Sequence, residues 1–114
     1  MPYLKVKTNR PVDEDAGRRL IERASTRIAE ALNKPERYVM VDLSINPQIL
    51  FSGTRDPCAY VELKSIGLPD SQTRDLSQTI CDLLENELGI PAERVYIEFM
   101  DVPRKFWGWN GSTF

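Results

Sequence analysis

The sequence predicts an α+β fold: two β-α-β repeats whose four strands form one sheet, with two helices on one face of it. Three observations lead there. Four segments alternate apolar and polar residues at the period of a strand, and two longer segments space their apolar residues at the helical period. These segments follow one another as strand, helix, strand, twice over. The 114 residues suffice for one domain, residues 1–114, with one modest core, but not for two.

Residues 2–8 form the first expected strand, with Pro2, Leu4 and Val6 on one side and Tyr3, Lys5 and Lys7 on the other. Thr8-Asn9-Arg10-Pro11 ends it. Asp13 has the chemistry of an N-cap, and Glu14 and Asp15 in the next turn suit the positive end of a helix dipole. Leu20, Ile21, Ala24, Ile28, Ala31 and Leu32 then recur at helical spacing, and Asn33 with Lys34-Pro35 stops the helix. Residues 38–46 alternate again, placing Val39, Val41, Leu43 and Ile45 on one side. Pro47 to Pro57 is a loop rich in breakers, including Ser52-Gly53 and Asp56-Pro57.

Residues 58–66 read as a third strand, ended by Gly67 and Pro69. Asp70 or Ser71 is the expected cap of a second helix, whose buried stripe is Leu76, Ile80, Leu83, Leu84 and Leu88. Gly89 stands where a left-handed residue closes a helix, with Pro91 just beyond. Residues 94–100 make a fourth strand, and a short aromatic tail follows. Each crossover is long enough to hold a helix, so it joins parallel strands in a right-handed sense.

Helices on one face leave the other face open. Tyr38, Met40, Cys58, Tyr60, Tyr96 and Met100 are expected there, and the tail adds Phe106, Trp107, Trp109 and Phe114. An apolar patch of that size marks an interaction surface, and self-association is the simplest way to cover it.

Composition narrows the chemistry. A net charge of −2, with Lys and Arg scattered rather than clustered, argues against a nucleic-acid or anionic-membrane partner. No apolar run reaches the length of a membrane span, and MPYLKVKTNRP lacks the apolar stretch of a signal peptide, so the cytoplasm is the default expectation. Two cysteines, Cys58 and Cys81, read as small buried thiols in a strand and a helix, not as a disulfide framework. The chain has no histidine, which removes His-dependent triads, Cys–His dyads and His-ligated metal sites together. It also lacks GxGxxG, GxxxxGK[ST] and GxSxG motifs. No cofactor or metal is expected.

Pro2 offers an alternative base. Initiator methionine is removed ahead of small residues, and a freed N-terminal proline is a secondary amine with a reference pKa of about 7.7–8.0. Burial and a nearby cation lower that value, giving a base poised near neutrality for proton abstraction beside a carbonyl. Taken alone, Met-Pro is also an ordinary way for a chain to start.

Spaced motifs along the chain decide between these readings. MPYLKVKTNRP, NKPERY, DPCA, KSIG, RVYIEF and GWNGSTF together resemble the macrophage migration inhibitory factor family of the tautomerase superfamily, nearly end to end. The resemblance implies a trimer of β-α-β repeats around a central channel, with active sites between neighbouring subunits. It implies that Pro2 shuttles a proton between carbon and enol oxygen of a small α-keto acid such as phenylpyruvate. By motif, Lys34 would bind the substrate carboxylate and help keep Pro2 neutral, although by itself it is a helix C-terminal cation serving the dipole. Ile66 in KSIG would line the pocket, and Tyr96 in RVYIEF would enter it from the adjacent subunit; otherwise they are a strand residue and an interface aromatic. Trp107, Trp109 and Phe114 would supply apolar walls. The resemblance also admits a cytokine-like protein with a protein receptor, leaderless secretion and weak or vestigial catalysis.

Three positions depart from the animal pattern. Glu98 stands where asparagine is usual, so a carboxylate near the pocket would repel an anionic substrate and raise the pKa of Pro2, unless it pairs elsewhere. Trp107 replaces a small apolar residue, which narrows the expected pocket mouth. Cys58-Ala59-Tyr60-Val61 keeps one cysteine of a CxxC, which argues against disulfide exchange. A dehalogenase or decarboxylase of a small acid, using Arg37 and Glu98, is the more distant alternative.

Overall fold

A four-stranded mixed sheet carries both helices on one face. The computed structural model describes residues 1–114, in which β1 is Tyr3–Thr8, α1 Glu14–Leu32, β2 Met40–Ile45, β3 Ala59–Ser65, α2 Thr73–Leu88 and β4 Val95–Asp101. Gly108–Trp109 (β5) and Ser112–Thr113 (β6) add a small hairpin at the C-terminus. The strand order is β2-β1-β3-β4. Both crossovers join parallel pairs, β1 with β2 and β3 with β4, while β1 and β3 run antiparallel at the centre. The two β-α-β halves predicted from the alternation are therefore present, back to back.

Leu4 and Val6 from β1, and Ala59, Val61 and Leu63 from β3, meet Leu20, Ala24 and Ile28 of α1 and Leu76, Ile80 and Leu84 of α2 in one core. Each of the two central strands gives alternate residues to that core, which is why the period-two pattern was clearest there. The edge strands β2 and β4 pack their inward residues only partly, at Val41, Leu43, Ile97 and Phe99.

Several expectations shift. Tyr38 lies in a three-residue 3-10 turn, Glu36–Tyr38, ahead of β2, and Ile45 at the far end of β2 is exposed. On α1, Ala29 is buried and Ala31 is not. Neither Asp70 nor Ser71 caps α2 through its side chain: a 3-10 turn, Asp70–Gln72, runs straight into the helix, and the Thr73 hydroxyl donates to the Asp70 carbonyl. Cys58 is buried rather than on the open face, because it precedes β3 and is drawn in by Thr8 and Asn9.

The open face is also more polar than expected. Across it the register aligns Met40-Tyr3-Lys64-Met100, then Asp42-Lys5-Glu62-Glu98, then Ser44-Lys7-Tyr60-Tyr96. Charged rows cross the middle, and the exposed apolar groups gather at the margins: Met40, Met100, Tyr96, and Phe106 and Trp109 of the tail. The loop between β2 and β3 is fastened from two sides. The Asn9 amide donates to the carbonyls of Ile49, Arg55 and Asp56, and the Arg94 guanidinium donates to those of Phe51, Asp56 and Pro57.

Candidate active site

Pro2 leads into β1, and its position is fixed by strand pairing. Its carbonyl accepts the Met40 N–H at 3.0 Å, and its side chain is fully buried. It lines one cavity, and a second opens on the far side of Met1 and Tyr38. The larger, about 1140 Å³, is lined by Pro2, Tyr38, Met40, Val102, Phe106, Trp107 and Trp109 among others. The smaller, about 250 Å³, is lined by Lys34, Pro35, Ile66, Arg104 and Phe114. Met1 and Tyr38 line both, so they form the partition between them.

The end of α1 places Lys34. Asn33 adopts the left-handed conformation with φ of 53°, and the Lys34 N–H folds back to the Ala29 carbonyl at 2.9 Å. Pro35 then forbids further helix and opens the Glu36–Tyr38 turn. The Lys34 ammonium leaves the helix axis and donates to the Ile66 carbonyl at 2.7 Å. Ile66 is buried just past β3, so the lysine is tethered across the smaller cavity with donors to spare.

The aromatic wall assembles from distant parts of the chain. Tyr38 meets Trp109 edge-on at 6.0 Å and Phe114 at 6.2 Å, and Trp109 stacks on Phe114 at 5.4 Å. The Arg37 guanidinium lies over the other side of Tyr38, 4.7 Å from its centroid. Trp109 and Phe114 of the tail thus have a partner within the chain.

At the Met1 amine, burial lowers the pKa from the ordinary 8.0, and the Lys34 and Arg104 cations lower it further. Each of the three disfavours an ammonium at this end of the sheet. Elsewhere, burial and then Asp82 push the Cys81 thiol up, and both cysteines are free and buried, in keeping with inert thiols.

Trp107 and Trp109 therefore share the larger cavity with Pro2, and Lys34, Ile66 and Phe114 line the smaller one, which Met1 and Tyr38 part from it. Tyr96 and Glu98 line neither within one subunit. Tyr96 is exposed on β4, two strands from Pro2, and packs edge-on against Phe51 at 4.8 Å. Glu98 accepts a hydrogen bond from the Tyr60 hydroxyl at 3.2 Å, and desolvation and the Glu98 carboxylate raise that phenol's pKa. The sequence did not single out Arg104 or Tyr38 as site residues. Pro103-Arg104 could be read as a turn after β4, but nothing local ties that turn to residue 1.

The model of the family described as macrophage migration inhibitory factor matches residues 1–114. A homolog of that factor from Brugia malayi is 38% identical over 115 residues, covering 100% of this chain and 99% of the relative. The factor from Mus musculus is likewise 38% identical, with the same coverage. The crystal structure of a homologue from Prochlorococcus marinus superposes with a TM-score of 0.92 at 46% identity, covering 98% of each chain. The structure of the macrophage migration inhibitory factor from Trichinella spiralis gives 0.90 at 33% identity, covering 98% of this chain and 99% of the other.

Proposed function

We propose, since the chain belongs to the macrophage migration inhibitory factor family, that it is a keto–enol tautomerase of aromatic α-keto acids with the Pro2 nitrogen as its base. The observation that carries this reading is the buried Pro2 in a cavity walled by Tyr38, Trp107 and Trp109, parted only by Met1 and Tyr38 from a cavity holding Lys34. Removal of Met1 does two things at once. It frees the secondary amine, and it removes much of the partition between the two spaces. An aromatic ring then fits the larger space while its carboxylate meets Lys34 in the smaller. The neutral amine takes the enol hydroxyl proton, and the resulting ammonium returns one proton to the adjacent carbon, so the ketone forms with no net change in protonation. The burial and the Lys34 and Arg104 cations that lower the Met1 amine pKa support the same direction of shift for a freed Pro2 amine.

Tyr96 and Glu98 join this proposal only through assembly. In a homotrimer Tyr96 enters the site of the adjacent subunit and offers its phenol to the substrate. The hydrogen bond that Glu98 accepts from Tyr60 supports a carboxylate paired elsewhere than with the substrate.

A second reading has its own support. Met40, Phe106 and Trp109 are exposed at the cavity rim, which suits a protein receptor on the same trimer, with turnover incidental. Ketonisation of phenylpyruvate enol, followed by ultraviolet absorbance, separates the two. The sample is protein whose intact mass shows Met1 is gone, compared with the same protein carrying an N-terminal extension. Enol loss well above buffer, abolished by the extension, is the expected result. No acceleration by processed protein overturns the tautomerase reading.

A further inference from the structure

We infer that Arg104 is a second carboxylate ligand of this site, acting beside Lys34, and that the pair makes the site selective for free keto acids over their esters. The inference rests on the keto-acid reading of the Pro2 site.

The smaller cavity carries two cationic side chains, Lys34 and Arg104, and no acidic side chain among its lining residues. Cations brought together without a counter-charge repel each other and any ammonium beside them, unless an anion binds between them. Arg104 is exposed to solvent and has no partner within the chain. The ion pairs of the chain lie on Arg18 and Arg23, and no hydrogen bond involves the Arg104 guanidinium. Lys34, by contrast, already spends one donor on the Ile66 carbonyl. A guanidinium presents two parallel N–H groups that match the two oxygens of a carboxylate, whereas an ammonium gives a point contact.

The backbone supports the placement. Pro103 opens the 3-10 turn Arg104–Phe106, and the Trp107 N–H closes it on the Arg104 carbonyl at 3.2 Å. Val102 is bound to the Ser65 carbonyl at 2.9 Å, one residue from Ile66. The turn is thus pinned to the end of β3 that also tethers Lys34, so the two cations are anchored to one piece of sheet. The cationic influence of Arg104 on the chain's terminal amine agrees with that placement.

The test separates binding from turnover by using benzoylformate, an aromatic α-keto acid with no enolisable hydrogen. Its binding to Met1-free protein is followed by quenching of Trp107 and Trp109 fluorescence, alongside its methyl ester. Loss of a charged hydrogen bond predicts that Arg104→Ala weakens binding of the acid by about 10- to 100-fold and leaves the ester within about twofold. Arg104→Lys recovers part of the loss for the acid. The acid limb of the pH–rate profile for phenylpyruvate moves up in Arg104→Ala, a change that a purely structural role would not produce.

Equal weakening for acid and ester, or no weakening for either, overturns the inference and leaves the tautomerase reading intact. So does failure of the unmutated protein to bind the acid. Arg104-dependent binding with no catalysis of enol ketonisation supports the inference and sinks the parent reading.

Discussion

Pro2 is held by its own carbonyl, bonded to Met40, and its buried ring lines the larger cavity. Lys34 is the residue whose removal should be felt there most clearly. Without its charge the ammonium form of Pro2 is less disfavoured, so the amine pKa rises. We expect the acid limb of kcat/KM in Lys34→Ala to move up toward the ordinary 8.0. At neutral pH, kcat/KM should fall by about 10- to 100-fold through the lost charged contact, and by more where less of the amine is neutral. An unmoved limb would show that Lys34 does not act on the base. Pro2 and Lys34 could be found in the sequence because each sits in a spaced motif, MPYLKVKTNRP and NKPERY. Arg104 could not, because its relation to Lys34 arises only when the turn after β4 is fastened at Ser65, 39 positions back along the chain.

Helix ends and prolines account for most of what the elements do. Pro35, Pro69, Pro91 and Pro103 each precede a three-residue 3-10 turn, so residues read as stops also start something: one tight turn that redirects the chain. Two of these turns deliver site residues, Tyr38 and Arg104. Asp13, by contrast, caps as its chemistry predicted, accepting the Ala16 N–H at 2.8 Å. Asp13→Ala should cost about 1 kcal/mol in urea unfolding, and Asp13→Asn much less, since asparagine caps as well. Equal loss in both would assign the effect to the carboxylate charge instead. The strands and helices were legible because Leu4, Val6, Val61 and Leu63 alternate against a dry core, whereas β2 and β4 lie at edges and were blurred by exposure at Ile45 and Met100. Cys58 was misplaced because alternation cannot see the Asn9 side chain that fixes its N–H.

The whole molecule has two unpaired sheet edges, β2 and β4, with Tyr96 and Met100 exposed along one of them. Sedimentation should give a mass three times the 13.1 kDa chain. If Tyr96 serves the neighbouring site, mixed assemblies of Lys34→Ala and Tyr96→Ala subunits should regain activity that neither variant has alone; absence of recovery would confine Tyr96 to packing. That relation between subunits was legible only through the family motif, since one chain keeps Tyr96 and Pro2 apart. The strand order carries a last consequence. It reads the same from either edge, so the molecule offers two equivalent strand entrances at opposite ends, one before β1 and one before β3. At the second, the chain passes through Cys58, whose N–H is bound by Asn9 at 2.9 Å and whose carbonyl is bound by Thr8 at 2.7 Å. A polypeptide has a single beginning, so only the first entrance can offer a free amine. If Pro2 is the base, the stoichiometry is asymmetric however symmetric the architecture: one catalytic nitrogen per chain, and one equivalent of an inactivator directed at it to silence the site.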